Sequence, residues 1–356
     1  MVYVVGINIM TNKNISNENN FYKSEEYFPL IDVTKLFCAI LVVLIHCLGI
    51  PSGHPVTTFI VKCFSAQAVP FFMIASGFFA AKKISREMNW TKITKLCIKN
   101  WLLIYCIWSI LWLPYYIKLY YFKYSDMPFM YRFFLIIRRI VLAGQGVYWY
   151  LLVLAEAVFI VYIFVHFGKE KLLCCFGITG LLLGIFYDAN VTFFGMDVIH
   201  KIVYSIFSWS NNVFMKGIPY VAFGYFLRRK REQLHFKIGK LMVLYLAASI
   251  GTIFLYTWDK EQWLCLYPVQ ASCLFLMVCQ STWSKISKNL CLSCRNMSSA
   301  IYFLHTVSIY GIIDPIFGVD SPIILKFSVS IVFSIAVLYI VKRMKIYPIE
   351  WLLGVK

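Results

Sequence analysis

Asp32, Lys35 and His46 form the pattern Asp-x-x-Lys-x10-His at the head of the first long apolar stretch of the chain. On an α-helix the 11 positions from Lys35 to His46, at about 100° each, close to about three turns, so the two side chains leave the same face. Asp32, three residues before Lys35, shares that face. A rise of about 1.5 Å per residue sets His46 about 16 Å further along the axis than Lys35. One stripe therefore carries a charged pair at one end and an imidazole deep in apolar surroundings. Ionisable groups in such a tract are costly, which makes each a functional candidate. Imidazole is the side chain best suited to moving a proton near neutral pH. The alternative for His46 is a plain hydrogen bond to a neighbouring helix.

The elements that must position these groups follow from composition. Of 356 residues, 61% are hydrophobic and 14% charged, and the mean hydropathy is +0.73. Globular domains are about 45–50% apolar and about 25% charged. Apolar tracts near 20 residues recur along the chain, each long enough to cross a hydrocarbon core of about 30 Å. The fold class read from this is all-α, a polytopic membrane helix bundle with about ten transmembrane helices. They fall at roughly 30–50, 57–81, 100–117, 148–167, 171–188, 212–228, 241–257, 263–281, 298–316 and 322–341.

A net charge of +18 invites a nucleic-acid reading, which the distribution of the charge excludes, because the basic residues stand in short runs between apolar tracts. With the N-terminus in the cytoplasm, 24 of the 34 basic residues (Lys35 at the mouth of the first span included) fall on the inside and seven outside. Lys62, Lys216 and Lys326 lie within spans. The positive-inside tendency thus places both termini in the cytoplasm, and the expected location of the multi-pass chain is the plasma membrane.

Residues 1–29 read as a polar, disordered tail, 30–345 as the membrane domain and 346–356 as a short cytoplasmic tail. The opening MVYVVGINIM is too short and lacks the basic flank of a signal peptide, and translation from Met10 stays open. Of the 12 cysteines most sit in apolar tracts as small hydrophobes, and Cys291-x-x-Cys294 is a lone pair, read as two thiols rather than a zinc site. The 118–147 segment, with Arg132, Arg138 and Arg139 among apolar residues, reads as an amphipathic stretch at the interface.

Further along, Val69-Pro70-Phe71-Phe72 runs to Ser76-Gly77-Phe78, Trp149-Tyr150-Leu151 opens the fourth span, and Ile301-Tyr302-Phe303-Leu304-His305 lies in the ninth. Together with Asp32-x-x-Lys35-x10-His46, these four tracts resemble, in order, the signatures of the acyltransferase 3 family over about residues 28–345. Lys35 stands where that family has Arg, keeping the charge and losing the planar fork. Where it tends to carry Arg-x-x-Arg, this chain has Lys92-Ile-Thr-Lys95, followed by Lys99.

The resemblance implies an enzyme that passes an acyl group, usually acetyl from acetyl-CoA as co-substrate, to a sugar hydroxyl of a surface glycan or its lipid-linked precursor. It makes His46 the expected catalytic residue, with Asp32 and Lys35 of the same stripe as further catalytic candidates, and implies no metal. Lys35, Lys92, Lys95, Lys99 and Ser76 are the candidates for holding the acyl-CoA, and Trp149, His305, Lys216 and Glu156 those for the acceptor. Expected partners are membrane lipid, acyl-CoA and the glycan. The competing reading is a transporter of a small polar molecule, which calls for inverted repeats with matched broken helices; no such pairing is visible, the polar signatures being densest in the first two spans. Acceptor specificity is expected in the outer segments 118–147 and 189–211, with Tyr115, Tyr116, Tyr120, Tyr121 and Tyr124 suited to stacking on sugars or to an interfacial belt.

Overall fold

The computed structural model describes residues 28–47, 64–85, 88–123, 125–138, 140, 146–188, 198, 201–202, 205, 210–234, 236–258, 266–280 and 286–355. Among them the ordered elements are helical, and no strand occurs. In chain order, α1 is Pro29–Cys47 and α2 is Ala68–Ala80. Helix α3 begins as Trp90–Cys97, widens through a π turn at Ile98–Leu102 and continues as Leu103–Lys123. Helix α4 is Phe129–Arg138, α5 is Trp149–His166 and α6 is Glu170–Asp188. A π turn at Val213–Gly217 leads into α7, Ile218–Arg229. Then come α8 (Ile238–Trp258), α9 (Tyr267–Gln280) and α10, which runs Lys288–Ser308, passes a π turn at Ile309–Ile313 and ends at Asp314–Phe317. Helices α11 (Ile323–Arg343) and α12 (Tyr347–Leu352) close the chain.

Seven of the ten expected spans are helices long and apolar enough to cross a membrane. The other three are shorter. Helix α2 has 13 residues and α9 has 14, about 20 Å each at 1.5 Å per residue, and α7 has 12 residues behind its π turn. Residues 57–63 and 263–265 of the expected spans lie outside the described residues. Local signals account for the start of α7. The Asn212 side chain accepts from the amides of Phe214 and Met215, capping the turn before α7, and Pro219 stands where a first-turn proline costs no hydrogen bond.

The packing is that of a membrane bundle. Helix α5 is buried over most of its length, whereas α6, α8 and α11 present most of their surface outward. The outward surface is apolar, with Val243, Ile250 and Phe254 of α8 and Ile324, Val332 and Tyr339 of α11 exposed, as lipid contact requires. Helices α2 and α7 cross closely at two glycines. A Cβ on Gly77 would lie 2.0 Å from the Val221 carbonyl oxygen, and one on Gly224 would lie 2.0 Å from that of Ile74. Small residues at such crossings let backbones meet where no hydrophobic force draws helices together.

Helix α10 begins at Lys288, where the Ser287 hydroxyl accepts from the Leu290 amide. Arg295, which the span estimate of 298–316 leaves in a loop, is therefore helical. Helix α4 gives the 118–147 segment an amphipathic helix without a buried residue, and the Arg138 guanidinium donates to the Ser205 carbonyl at 2.8 Å. At the C-terminus, Leu353 and Val355 are buried, and the Trp108 indole donates to the Leu352 carbonyl at 3.3 Å, so residues 346–355 dock back onto α3.

Candidate active site

Helices α1 and α10 lie side by side in a constant register. The Arg295 guanidinium donates to both oxygens of Asp32, Nε to Oδ1 at 3.1 Å and Nη2 to Oδ2 at 2.5 Å. The Ser298 hydroxyl donates to the Lys35 carbonyl at 3.0 Å, and the Tyr310 hydroxyl stands 3.4 Å from His46 Nδ1. Residue numbers rise together along both helices at an offset of 263–264, so the two helices run parallel.

The helical stripe holds. Asp32 and Lys35 are buried at one end, with Lys35 Nζ 3.8 Å from Asp32 Oδ1 and 5.0 Å from the Phe79 ring centroid. The carboxylate is thus shared between Lys35 and Arg295, the latter a residue that the sequence reading assigned to a loop. Arg228 and Arg231, at and just beyond the end of α7, lie over Phe28, just ahead of α1, and Arg228 also over Phe78 of α2. The Arg231 guanidinium lies 4.7 Å from the Phe28 ring centroid, and that of Arg228 lies 5.5 Å from it and 5.1 Å from the Phe78 centroid. Lys35 and Arg295 thus flank Asp32, and Arg228 and Arg231 lie over the aromatic rings near that end of α1.

His46 stands at the other end of the stripe, in the wall common to two cavities. One is a narrow apolar pocket of about 50 Å³ bounded by Phe72, Tyr150, Ser298, Ser299 and Tyr302. The other, about 520 Å³, has polar groups in its lining, among them Ser65, Asp188, Asn211, Lys216 and Tyr267. Val42, Val69 and Trp149 border both. Trp149 is fixed by its neighbours. The Tyr148 ring stacks on Trp108 at 5.2 Å between centroids, its hydroxyl donates to the Phe303 carbonyl at 3.1 Å, and the Tyr302 hydroxyl donates to the Val147 carbonyl at 2.7 Å.

His305, fully buried, has its ring centroid 5.1 Å from that of His46. Its Nδ1–H donates to the Ile301 carbonyl at 2.9 Å, which leaves Nε2 as an acceptor with no partner among the described residues. Lys216 lines the wide cavity and is ion-paired with Asp188.

The structure thus brings together Asp32 and Lys35 at one end, and His46, His305, Trp149 and Lys216 around the cavities. It keeps the remaining candidates apart. Ser76 donates to the Phe72 carbonyl at 2.8 Å and shares a hydrogen bond with the Tyr150 hydroxyl at 3.1 Å, so it supports the pocket wall from behind. Glu156 is half-buried on α5, about 10 Å along the axis from Trp149, and borders neither cavity. Lys92, Lys95 and Lys99 are exposed along the start of α3. Cys291 and Cys294 are buried free thiols, and among the described residues no three His, Cys, Asp or Glu side chains converge as a metal site. Of the aromatic residues expected to face sugar, Tyr115 stacks at 6.2 Å on Tyr310. The side chains of Tyr120, Tyr121 and Tyr124 and residues 189–197 lie outside the described residues.

A half-buried imidazole where two cavities meet, with Lys35 on the same helical stripe and Arg295 paired beside it, suits group transfer between two substrates. Comparison with known families decides the class: residues 28–343 match a family model described as an acyltransferase domain. The chain belongs to the acyltransferase 3 family. It is therefore a membrane enzyme that transfers acyl groups other than amino-acyl groups. No curated protein and no solved structure matches this acyltransferase, so its site is argued from its own geometry.

Four residues of that geometry carried no sequence signal: Arg295, Asp188, Tyr267 and Tyr310. Asp188 sits at the edge of an apolar run and Arg295 in a polar stretch, where a charged residue is ordinary, and each acquires meaning only from its partner on another helix.

Proposed function

We propose that this acyltransferase moves an acetyl group from acetyl-CoA on the cytoplasmic side of the plasma membrane to a hydroxyl of an extracytoplasmic or lipid-linked glycan, with His46 as general base. The observation that carries the reading is the position of His46 in the wall shared by the narrow and the wide cavity. A donor thioester reaching it through the narrow pocket would meet an acceptor alcohol held in the wide one. With Nδ1–H donating to the Tyr310 oxygen, Nε2 keeps the lone pair that a base needs. It takes the hydroxyl proton as the oxygen attacks the thioester carbonyl. The C–O bond forms, the C–S bond breaks, and the imidazolium returns the proton to the departing thiolate.

The cations at the Asp32 end of α1 give the donor its other anchor. Lys35, Arg228, Arg231 and Arg295 offer charge to the CoA phosphates, and Arg can grip them as a planar fork. The distance from Lys35 to His46, about 16 Å along α1, suits the extended arm that separates phosphates from thioester in CoA. The exposed Lys92, Lys95 and Lys99 would then serve to attract the anion rather than to fix it.

Ten crossings with both termini inside are supported by the parallel pairing of α1 and α10. Four of the long helices lie between them; if only those four crossed, α10 would run antiparallel to α1. Counting the short helices α2, α7 and α9 as crossings restores the parallel direction. The basic residues of the inside segments then face the cytoplasm.

The test is transfer of label from radiolabelled acetyl-CoA to envelope glycans by the purified protein in proteoliposomes. His46→Ala should abolish transfer while the protein inserts and unfolds normally. Retained transfer would remove His46 from the mechanism, and solute accumulation without transfer would favour a transporter.

A further inference from the structure

In the lining of the wide cavity that His46 borders stands a polar group that the transfer step leaves unused. Asp188, the last residue of α6, pairs with Lys216 of the π turn before α7, and Lys216 also donates to the hydroxyl of Tyr267, the first residue of α9. The Tyr267 hydroxyl closes the triangle, donating to the same Asp188 oxygen at 3.3 Å, and its ring centroid lies 4.7 Å from the ammonium. The side chains of Lys216 and Asp188 are 10% and 13% exposed. Three separate elements thus converge on one buried ionic cluster.

Taking a carboxylate and an ammonium out of water is costly, and an apolar pair of similar volume would join the same helices without that penalty. What sets this pair apart from a plain clamp is where it faces. Asp188, Lys216 and Tyr267 all border the wide cavity, together with Asn211, Trp149 and His46. The lining therefore offers a carboxylate, an ammonium, a carboxamide and an indole. Few, convergent polar groups set against an aromatic surface are what orients a small ligand in a pocket. For a sugar, adjacent hydroxyls donate to the carboxylate and accept from the ammonium, while the C–H face of the ring packs on the indole. The pair is neutral as a unit, so an anionic sugar would set its charge against Asp188 with Lys216 already engaged.

We propose that Asp188, Lys216 and Tyr267 form the acceptor subsite and select an uncharged sugar, with Trp149 as its stacking platform. The inference rests on the acyl-transfer reading for the reason a sugar enters, but its test is a binding measurement that needs no turnover. Purified protein in nanodiscs is titrated with the p-nitrophenyl glycosides of glucose, galactose and mannose, and with the glucuronide. At least one hexoside should bind, with the glucuronide at least tenfold weaker. Asp188→Asn and Lys216→Gln should each weaken the hexoside at least tenfold. The exchanged pair, Asp188→Lys with Lys216→Asp, should recover thermal stability without recovering binding.

Absence of hexoside binding by the wild type, equal binding of the glucuronide, or full binding by the exchanged pair would overturn the assignment. The last result would make the pair a helix clamp. His46→Ala separates the two readings, since it should lose transfer and keep the hexoside. If transfer holds and the Asp188 and Lys216 variants bind normally, this inference alone falls. If the hexoside binds but label never moves, the transfer reading falls.

Discussion

His305 sits against His46 with ring centroids 5.1 Å apart and planes inclined by 47°, held in one tautomer by its bond to the Ile301 carbonyl. Its Nε2 is a buried acceptor without a partner among the described residues, and such an atom destabilises the fold by about 1–3 kcal/mol. The cost has a use when His46 becomes an imidazolium, because a neighbouring lone pair stabilises that charge. His305→Phe keeps an aromatic ring and removes the acceptor. It should lower kcat by about 10–100-fold, or about 1.4–2.8 kcal/mol, leave the acceptor KM unchanged and raise the thermal midpoint. An unchanged kcat in steady-state assays would reduce His305 to packing.

Arg295 and Asp32 provide a test on the structural side. The Asp32 side chain is 3% exposed, and Arg295 supplies two of its hydrogen bonds. Arg295→Met leaves a buried carboxylate with Lys35 alone, a change that costs about 3–5 kcal/mol for a buried pair. The expected result is a marked fall in the unfolding midpoint of the detergent-solubilised protein. Asp32→Asn with Arg295→Met should cost less than the two single changes added, because the second removes a partner already lost. Strict additivity would show that the two residues do not act as a pair.

The stripe of Asp32, Lys35 and His46 was legible because helical periodicity alone fixes which residues share a face. The membrane class was legible because apolar tracts of that length have few other solutions. What stayed hidden depends on contacts between distant segments. Arg295 belongs to the site because α10 starts at the Ser287 cap, ahead of the apolar run that marked the span. Asp188 and Tyr267 are 79 residues apart in sequence, and nothing local joins them. Helices α2 and α9 read as full spans because hydropathy averages over a window and does not register where a helix starts. Glu156 drew attention as a charge in an apolar run and, seven residues on, it does share the face of Trp149, but it stands about 10 Å further along α5 and borders neither cavity.

The α2–α7 crossing sets a sharp steric condition. At Gly224 an added methyl would lie 2.0 Å from the Ile74 carbonyl oxygen and 2.8 Å from the Phe78 amide nitrogen, both backbone atoms that cannot turn aside. Gly224→Ala must push the helices apart, and overpacking of this kind costs about 1–3 kcal/mol or more. Because α2 carries Val69 and Phe72 into the pocket walls, activity should fall with stability. Gly239→Ala is the control: nothing lies within 4 Å of that position, and alanine is the better helix former by about 1 kcal/mol. Thermal unfolding of the two variants should therefore move in opposite directions, and similar midpoints would show that the crossing is looser than drawn.

Tyr310 is the remaining control on His46. Its hydroxyl lies 3.4 Å from Nδ1, its ring stacks on Tyr115, and it belongs to the π turn that interrupts α10. The turn swings the phenol to the face already occupied by His305, so the two residues act on His46 from one helix. Tyr310→Phe deletes only the hydroxyl and keeps the stack. Without that oxygen Nδ1 has nothing to donate to, and the tautomer with a free Nε2 loses its preference. One lost hydrogen bond is worth about 0.5–1.5 kcal/mol, so kcat should fall by roughly threefold to tenfold. Both substrate KM values and the unfolding midpoint should stay close to wild type, because the hydroxyl is not a packing group. A change in acceptor KM with kcat intact would instead place Tyr310 on the substrate rather than on the base.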